Sequence, residues 1–320
     1  MRLFVTGGTG AVGRPVVTAL KSRNHEILAL ARSDANQQIL QDLGARPVSA
    51  DLYDEQSLFP YLDECDAIVH MATKIPKTAN LNNPYAWAEN DRIRKVGTNT
   101  LVNAALRTRS VKTFVYPSVF FMYTDQGEYW QTAETATLDP PEPLESTLFA
   151  EQSVSRFAAE SNNHRGTVLR FGSFYGPQSR ESREILKMAR RGAVMPLATI
   201  SAYRTMIWID DAASAIVAAL QDTPGGIYDV AEDEPYTQAQ AIKAIAKAVG
   251  KKKLFKLPRF LLRFGLEPNM RALLERSQRI NSDRFREATG WTASVPNQDI
   301  GWALIAASGQ HNEQLMTTLK

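Results

Sequence analysis

The sequence predicts an α/β fold in which a doubly wound parallel sheet is joined to a smaller, mostly helical C-terminal lobe. Three observations lead to this prediction. Apolar runs of strand length alternate with helical patterns over the first two-thirds of the chain, a glycine-rich turn follows the first run, and the alternation loosens after residue 171. Short strands that alternate with helices are typical of βαβ units, which build a parallel sheet with helices on both faces.

Six apolar runs of strand length set the order of the predicted sheet. They are Leu3–Val5, Glu26–Ala31, Pro47–Ala50, Ala67–Met71, Thr113–Tyr116 and Thr167–Phe171. Segments with apolar residues at helical spacing separate these runs and predict the intervening helices. Ser33 and Asp54 are expected to cap two of these helices, and Asp210 or Asp211 is expected to cap a later one.

The composition is that of a soluble globular protein, with 320 residues of which 44% are apolar and 22% are charged. The net charge of +3 is too small to indicate a nucleic-acid or membrane partner. The single cysteine, Cys65, excludes an internal disulfide, and no Cys/His cluster has the spacing of metal ligands. No apolar run reaches the roughly 18 residues that span a bilayer, and the first predicted strand leaves no room for a signal peptide. These features predict a cytoplasmic protein without a metal site.

A glycine-rich turn lies between the first predicted strand and the first helix, with the spacing Gly-x-x-Gly-x-x-Gly. In such a turn the first glycine permits a tight bend, the second lets a pyrophosphate approach the backbone, and the third allows close helix–strand packing. The free amides and the positive end of the helix dipole then favour a phosphate. This position in a βαβ series indicates a dinucleotide-binding Rossmann sheet. The predicted cofactor site therefore includes Gly7, Thr9, Gly10, Ala11, Val12 and Gly13.

The end of the second predicted strand indicates which dinucleotide is bound. An NAD site usually places Asp or Glu there to bind the ribose 2′-hydroxyl. This sequence has Arg32 and Ser33 at that place, and a guanidinium suits a 2′-phosphate. NADP is therefore the favoured cofactor. NAD remains an alternative, because Asp34 could reach the ribose.

Segments along nearly the whole chain resemble the extended branch of the short-chain dehydrogenase/reductase superfamily, whose members include epimerases and dehydratases. The resemblance lies in "VTGGTGAVG", "SADLYDEQSL", "AIVHMAT", "VGTNTLVNAA", "FVYPSVFFMY", "VLRFGSFYGP" and "ATGWTASVP". It implies further cofactor contacts, with Asp51 and Leu52 at the adenine ring, Met71, Ala72 and Thr73 along the cofactor, and Phe171 beside the nicotinamide.

The residues for the usual chemistry of this superfamily are missing. Its members carry Tyr-x-x-x-Lys on the helix after the fifth strand. There the tyrosine exchanges a proton with the substrate, and the lysine binds the nicotinamide ribose and lowers the tyrosine pKa. If Glu151 is the glutamate that follows this motif, Pro143 and Thr147 occupy the two positions. Val119 stands at the position of the catalytic serine, and Arg94 replaces an asparagine that is usual in an earlier helix. The sequence is therefore that of an atypical member, which keeps the cofactor site without the catalytic pair.

Four side chains are candidates for the remaining chemistry. Tyr123, just after the fifth strand, carries a phenol that can exchange a proton, and Ser118 can hydrogen-bond a substrate oxygen. Lys74, after the fourth strand, can bind an acidic substrate or stabilise an alkoxide, and Tyr175 can line the substrate pocket. Each of the four also has a structural alternative, in packing, backbone hydrogen bonding or solvation. His70 lies inside an apolar strand and is interpreted as a hydrogen-bonded core histidine.

Three functions agree with these features. The first is NADP(H)-dependent reduction or oxidation of a small carbonyl or alcohol substrate, with Tyr123, a water or the substrate supplying the proton. The second is an isomerase of the sugar-nucleotide epimerase or dehydratase type, against which the missing pair counts. The third is a non-catalytic NADP-binding redox sensor or scaffold, which the missing pair favours. The expected partner is a small-molecule substrate, and a homodimer is an open alternative to a monomer.

The looser pattern of the last third of the chain predicts the division into domains. Residues 1–175 and 206–232 are expected to form the dinucleotide-binding domain. Residues 176–205 and 233–320 are expected to form the substrate-binding lobe. A junction of this kind is where ligand pockets tend to form.

Overall fold

Seven parallel strands form the central sheet in the computed structural model, which describes residues 1–76, 80–221, 223–264 and 266–318. In chain order the strands are β1 (Arg2–Thr6), β2 (Glu26–Leu30), β3 (Arg46–Val48), β4 (Ala67–His70), β5 (Thr113–Val119), β6 (Arg165–Phe171) and β7 (Gly226–Val230). Their order across the sheet is β3-β2-β1-β4-β5-β6-β7, and every neighbouring pair is parallel. The predicted doubly wound α/β fold is confirmed.

The centre of the sheet explains why its strands appear in the sequence as unbroken apolar runs. In β1, Leu3 and Val5 pack into a core on one face, while Phe4 packs into a core on the other. Side chains alternate across a strand, so a strand that is covered on both faces needs apolar residues at every position. The predicted strand bounds differ most at β5, which continues to Val119 instead of ending at Tyr116.

The described residues form α-helices, several of which cover the two faces of the sheet. They are α1 (Gly13–Ser22), α2 (Asp34–Asp42), α3 (Glu55–Leu62), α4 (Pro84–Arg92), α5 (Thr98–Arg107), α6 (Glu142–Ala159), α7 (Arg180–Arg190), α8 (Ile209–Ala219), α9 (Gln238–Ala248), α10 (Pro268–Glu275), α11 (Asp283–Thr289) and α12 (Gln298–Thr318). Helices α1 and α8 pack on one face, and α3, α5 and α6 pack on the other. A π-helical turn, Ile93–Gly97, joins α4 to α5, and 3₁₀ helices span Phe120–Met122 and Arg259–Phe264. Within the described ranges, no helix is both long and apolar enough to cross a membrane.

Among the described residues, eight short strands lie outside the central sheet and pair two by two. The pairs are Trp130–Gln131 with Arg279–Ile280, Ser173–Tyr175 with Met206–Trp208, Ala193–Val194 with Phe255–Lys256, and Tyr203–Arg204 with Tyr236–Thr237. Each pair joins segments that are distant in sequence. The pair of Trp130–Gln131 with Arg279–Ile280 thus connects the segment after β5 to the last third of the chain.

Two of the predicted helix caps are confirmed and one is wrong. The Ser33 hydroxyl accepts from a backbone N–H at the start of α2, and the Asp54 carboxylate does so at the start of α3. Helix α8 instead begins without a side-chain cap. The carboxylate of Asp211 accepts hydrogen bonds from the backbone N–H groups of Ser294 and Val295, at 2.8 and 2.9 Å. Asp211 therefore binds the backbone of a late segment of the chain and does not cap α8.

A second core lies among α7, α9 and α12. Each of these helices contributes a buried apolar side chain: Leu186 from α7, Ile242 from α9 and Trp302 from α12. The Tyr175 ring lies between two tryptophans, with centroid distances of 5.4 Å to Trp208 and 5.7 Å to Trp302. The residues at the end of the first predicted domain therefore also pack into the C-terminal core. The division into a cofactor domain and a substrate lobe stays a prediction.

His70 joins the ends of β1 and β4 to α5. The backbone N–H of Ala72 donates to Thr6 Oγ1, and the Thr6 hydroxyl forms a hydrogen bond with Nδ1 of His70, at 2.6 Å. Nε2 of His70 forms a hydrogen bond with Thr98 Oγ1, at 3.1 Å. Burial lowers the pKa of His70 to about 3, so the ring is neutral. The interpretation as a hydrogen-bonded core histidine is confirmed.

The neutral state of His70 predicts a loss of stability in acid. An unfolded histidine has a pKa of about 6.5, so below that pH the unfolded chain binds a proton that the folded chain releases. The stabilisation is complete above about pH 6.5 and is lost as the pH falls toward the folded pKa of about 3. Between pH 7.5 and pH 5 the wild type should lose about 2 kcal/mol more unfolding free energy than His70→Gln. Urea denaturation at both pH values measures this difference, and equal pH slopes would contradict it.

A substitution at Gly301 of α12 tests how tightly the second core is packed. A Cβ at this position would press directly on the Tyr175 phenol. Although alanine favours helices, Gly301→Ala should lower the unfolding free energy by about 1–3 kcal/mol through overpacking. Leu304→Ala, a control on the exposed side of the same helix, should change it by less than about 0.5 kcal/mol. Thermal denaturation tests this, and a Gly301→Ala protein more stable than the wild type would refute the contact.

Candidate functional site

A cavity of about 670 Å³ lies where β1, β2, β3 and β4 end. Its wall contains residues that follow these ends closely: Gly7, Arg32, Ala50 and Met71. Strands β2 and β3 lie on one side of β1, and β4 lies on its other side, so the direction of the strand order reverses next to β1. Ligands of open α/β sheets bind at such a switch point, beyond the carboxyl ends of the strands.

The glycine turn packs its backbone directly on neighbouring backbone. Gly7 has φ +72°, and a Cβ there would lie 2.5 Å from the carbonyl carbon of Met71. A Cβ on Gly13 would overlap the Gly7 carbonyl oxygen, so α1 can start only beside a bare turn. The N–H of Arg14 donates to the Gly10 carbonyl at 3.1 Å and Pro15 has no N–H, so the donors for a ligand are the N–H groups of the turn itself, at the positive end of the α1 dipole. The turn therefore fits the diphosphate of a dinucleotide.

A charged rim formed by Arg32, Tyr53, Glu89 and Arg92 borders one end of the cavity. The Arg32 side chain is 60% exposed, and its Nη1 lies 3.7 Å from a Glu89 carboxylate oxygen. The Tyr53 hydroxyl donates to the same carboxylate at 3.1 Å, and the Arg92 guanidinium lies 3.7 Å from the centre of the Tyr53 ring. The rim carries two guanidiniums and one carboxylate, and the carboxylates of Asp34 and Asp51 also line the cavity. Arg32 and Arg92 are thus the groups of the rim that suit an anionic ligand group.

Ser33 and Asp51 combine structural hydrogen bonds with positions on the cavity wall. The Ser33 hydroxyl accepts from the Asn36 N–H at 3.4 Å, and an accepting hydroxyl can still donate its own hydrogen to a ligand. One carboxylate oxygen of Asp51 accepts from the Tyr53 N–H at 2.9 Å. Both side chains are therefore already oriented before a ligand binds.

Most of the predicted cofactor residues line this cavity. The lining includes Gly7, Thr9, Gly10, Arg32, Ser33, Asp51, Leu52, Met71, Ala72 and Thr73. The predicted residues outside the lining are Ala11, Val12, Gly13 and Phe171. Gly13 and Val12 support the turn from behind, and Phe171 is fully buried against Phe174, at 5.5 Å between ring centroids. Contact of each residue with a cofactor stays a prediction.

A buried polar chain of five side chains connects β5, α6, β6 and β7. Ser118 donates to Glu151 at 2.5 Å, and Arg170 donates to both oxygens of Glu151, at 3.0 and 2.6 Å. Arg170 also donates to the Tyr123 hydroxyl at 3.1 Å, which in turn donates to Asp229 at 2.7 Å. Burial raises the pKa of Asp229 to about 7 and raises the pKa of the Tyr123 phenol above its usual range. Since each polar group has a partner, this chain stabilises the interior.

The buried polar chain does not support the predicted catalytic roles of Tyr123 and Ser118. The Tyr123 side chain has no exposed surface, and Ser118 is 3% exposed. The 3₁₀ turn Phe120–Met122 carries Tyr123 past the end of β5, and its phenol points to Asp229 on β7. This geometry agrees with the structural alternative for Tyr123, because its hydrogen bonds to Arg170 and Asp229 fix its orientation.

The two predicted substrate contacts lie in different environments. Lys74 is exposed, and its backbone N–H donates to Asn90 Oδ1 at 3.1 Å. Tyr175 is fully buried, and its hydroxyl donates to the Asn297 carbonyl at 3.3 Å. Lys74 is not among the described residues that line the cavity, and its position agrees with a solvated loop residue. The burial of Tyr175 agrees with its packing alternative, since the ring fills the C-terminal core, and a contact with substrate stays a prediction.

Arg94 and Thr147 meet at a contact that the sequence did not predict. The Arg94 guanidinium donates to the Thr147 hydroxyl at 2.6 Å, and both side chains are buried. The sequence shows each residue as a separate departure from the family pattern. The only signal for this contact in the sequence is that both departures change charge. Thr147 removes the usual cation of α6, and Arg94 adds a cation before α5. Among the described residues, no group of three or more His, Cys, Asp and Glu side chains could hold a metal ion.

Known proteins resemble this chain in sequence and in fold. The model of the NAD dependent epimerase/dehydratase family matches residues 3–231. The 3-diazoavenalumate denitrifying reductase of a Streptomyces species is 31% identical over 303 residues, which cover 93% of this chain and 97% of that protein.

Two solved structures share the fold. The UDP-glucose 4-epimerase of Thermotoga maritima, solved with UDP-glucose, superimposes with a TM-score of 0.77 at 19% identity and covers 100% of both chains. The human epimerase family protein SDR39U1, solved with NADPH, has a TM-score of 0.75 at 20% identity over 96% of this chain and 99% of that one. The family match over most of the chain, together with the glycine turn and its cavity, shows that this chain is an NAD(P)-binding, oxidoreductase-like member of the NAD dependent epimerase/dehydratase family.

Proposed function

We propose that the chain is an NADP(H)-dependent oxidoreductase that reduces a small carbonyl compound or oxidises the corresponding alcohol. The observation that carries the proposal is the exposed guanidinium of Arg32 on the wall of the cavity, just after β2. No carboxylate stands at residues 31–33, where an NAD site would place one. A reductase that is 31% identical over nearly the full length supports the oxidoreductase assignment, and NADPH in the human relative supports the cofactor.

The surroundings of Arg32 favour a 2′-phosphate. Its partner Glu89 is 3.7 Å away, and surface pairs of this kind contribute little stability. The guanidinium can therefore turn to a phosphate, with which it makes two charge-assisted hydrogen bonds. Ser33 lies next to it at the N-terminus of α2, whose dipole adds to the attraction.

The chain's own residues divide the work of the reaction. The glycine turn binds the diphosphate, and the charged rim holds the adenosine end. When bound, the nicotinamide supplies or accepts a hydride. Pro143 and Thr147 offer neither a proton donor nor a charge at the usual catalytic positions. Because the Tyr123 phenol is buried, the proton is left to a water or to the substrate itself.

The missing pair also favours a second candidate, a non-catalytic NADP-binding redox sensor or scaffold. Pro143 and Thr147 stand where the family chemistry needs a tyrosine and a lysine. The buried polar chain, in turn, uses Ser118 and Tyr123 for structure. Such a protein would bind NADPH and leave it unchanged.

Turnover separates these functions. Purified protein is mixed with NADPH and a panel of aldehydes and ketones, and absorbance at the reduced nicotinamide band is followed. We expect substrate-dependent oxidation of NADPH by the wild type. Thr9→Glu, which puts a carboxylate at the diphosphate turn, should abolish it. Binding of NADPH without turnover would favour the non-catalytic candidate, and retained cofactor without net consumption would favour an isomerase.

Arg32 should set the preference for the phosphorylated cofactor. Arg32→Ala should weaken NADPH roughly tenfold to a hundredfold, since a charge-assisted contact is lost, and should change NADH by less than about twofold. Fluorescence titration with each cofactor measures both values. Arg46→Ala, at the opposite end of β3, is the matched control and should change neither. If NADPH and NADH weakened equally, the choice of cofactor would be wrong.

A further inference from the structure

Arg94 carries a buried positive charge for which the structure shows no anionic partner. Its side chain is 4% exposed, and its guanidinium contacts two neutral hydroxyls, that of Thr147 at 2.6 Å and that of Tyr116. Nε of Arg94 has no partner, and among the described residues no carboxylate forms an ion pair with the guanidinium. The nearby carboxylate of Glu151 is occupied by Arg170 and Ser118. Buried charges are normally paired, so this arrangement points to a ligand.

The backbone around Arg94 is built to turn the side chain inward. Arg94 lies in the π-helical turn Ile93–Gly97. Such turns are rare in helices, and those that occur are often found at functional sites. The widened turn buries two consecutive side chains, Ile93 at 1% and Arg94 at 4% exposure, and Ile93 lines the cavity. The next residue, Lys95, is exposed. Arg94 itself is not among the described residues that line the cavity; it is buried next in sequence to Ile93, which does line it.

Arg94 lies at the far end of the site from Arg32. Arg32 follows β2, the glycine turn follows β1, and β4 and β5 come next in the sheet. Arg94 lies near Tyr116 of β5, whose ring stacks on that of His70, the last residue of β4, at 5.8 Å. A dinucleotide held by Arg32 and by the glycine turn would extend across β4 toward β5. Its nicotinamide half would then reach Arg94.

We propose that the Arg94 guanidinium binds oxygen atoms of the nicotinamide half of the dinucleotide, the vicinal ribose hydroxyls being the group that its fork fits. This rests on the proposed function. Thr147 and Tyr116 accept guanidinium hydrogens and so orient the fork, and the remaining donors serve the ligand. The positive charge at this end of the site is thus supplied from the π turn instead of from α6. A guanidinium stays protonated, so Arg94 binds and orients the ligand and does not supply a proton.

Two half-cofactors test this assignment. Arg94→Met, an uncharged side chain of similar length, should weaken reduced nicotinamide mononucleotide by roughly tenfold or more and leave adenosine 2′,5′-bisphosphate within about twofold. Lys95→Met, on the exposed side of the same turn, is the matched control and should change neither. Titration calorimetry or competition against bound NADPH gives both constants.

A charge swap keeps the test valid if Arg94→Met folds poorly. The double variant Arg94→Met, Thr147→Lys places an ammonium on α6 and should recover at least part of the affinity for the mononucleotide. Equal weakening of both half-cofactors, or no weakening of either, overturns the proposal. Unchanged mononucleotide affinity with a raised KM for a carbonyl substrate also overturns it and assigns Arg94 to the substrate. A wild type that binds neither half-cofactor nor NADPH overturns the proposed function itself.

Discussion

Direct packing of backbone on backbone at the turn between β1 and α1 is the constraint on which the site depends. No side chain fits at Gly7, because the carbonyl of Met71 occupies that space. The ends of β1 and β4 therefore meet closely, and the neutral ring of His70 joins them through Thr6. This contact leaves the glycine turn at the start of α1 facing an open crevice. Strand β2 on one side and β4 on the other then place Arg32 and Thr73 along the same groove.

The interior handles its charges in two different ways. Arg170 is paired with Glu151 and is tied through Tyr123 to Asp229, so every charge in that chain has hydrogen-bond partners. A chain of this kind adds specificity to the packing of β5, β6 and β7. Arg94, in contrast, contacts two neutral hydroxyls and is buried next in sequence to a residue of the cavity wall. The difference between a satisfied and an unsatisfied guanidinium separates a structural group from a candidate ligand-binding group.

Local patterns predicted the parts of the site that depend on backbone. Apolar runs covered on both faces located the strands, and the glycine spacing located the turn, because each is a property of adjacent residues. Arg32 was placed correctly on the cavity wall for the same reason, since it follows β2 directly. For Tyr123 and Tyr175 the sequence left a role at the site and a structural role open. Each stands near a strand end, yet the phenols turn to Asp229 and Asn297, which lie more than one hundred residues away in sequence.

The sequence by itself determined the sheet, the position of the diphosphate turn and the loss of the usual tyrosine and lysine. These depend on residue type and spacing along one stretch of chain. Only the tertiary structure decided which polar side chains reach the cavity and which are used inside the protein. Orientation depends on partners from distant segments. The orientation of Arg94 depends on Thr147 of α6, and that of Tyr123 depends on Asp229 of β7. A buried polar group turns toward whichever partner lowers its desolvation cost, and that partner cannot be found by reading neighbours in sequence.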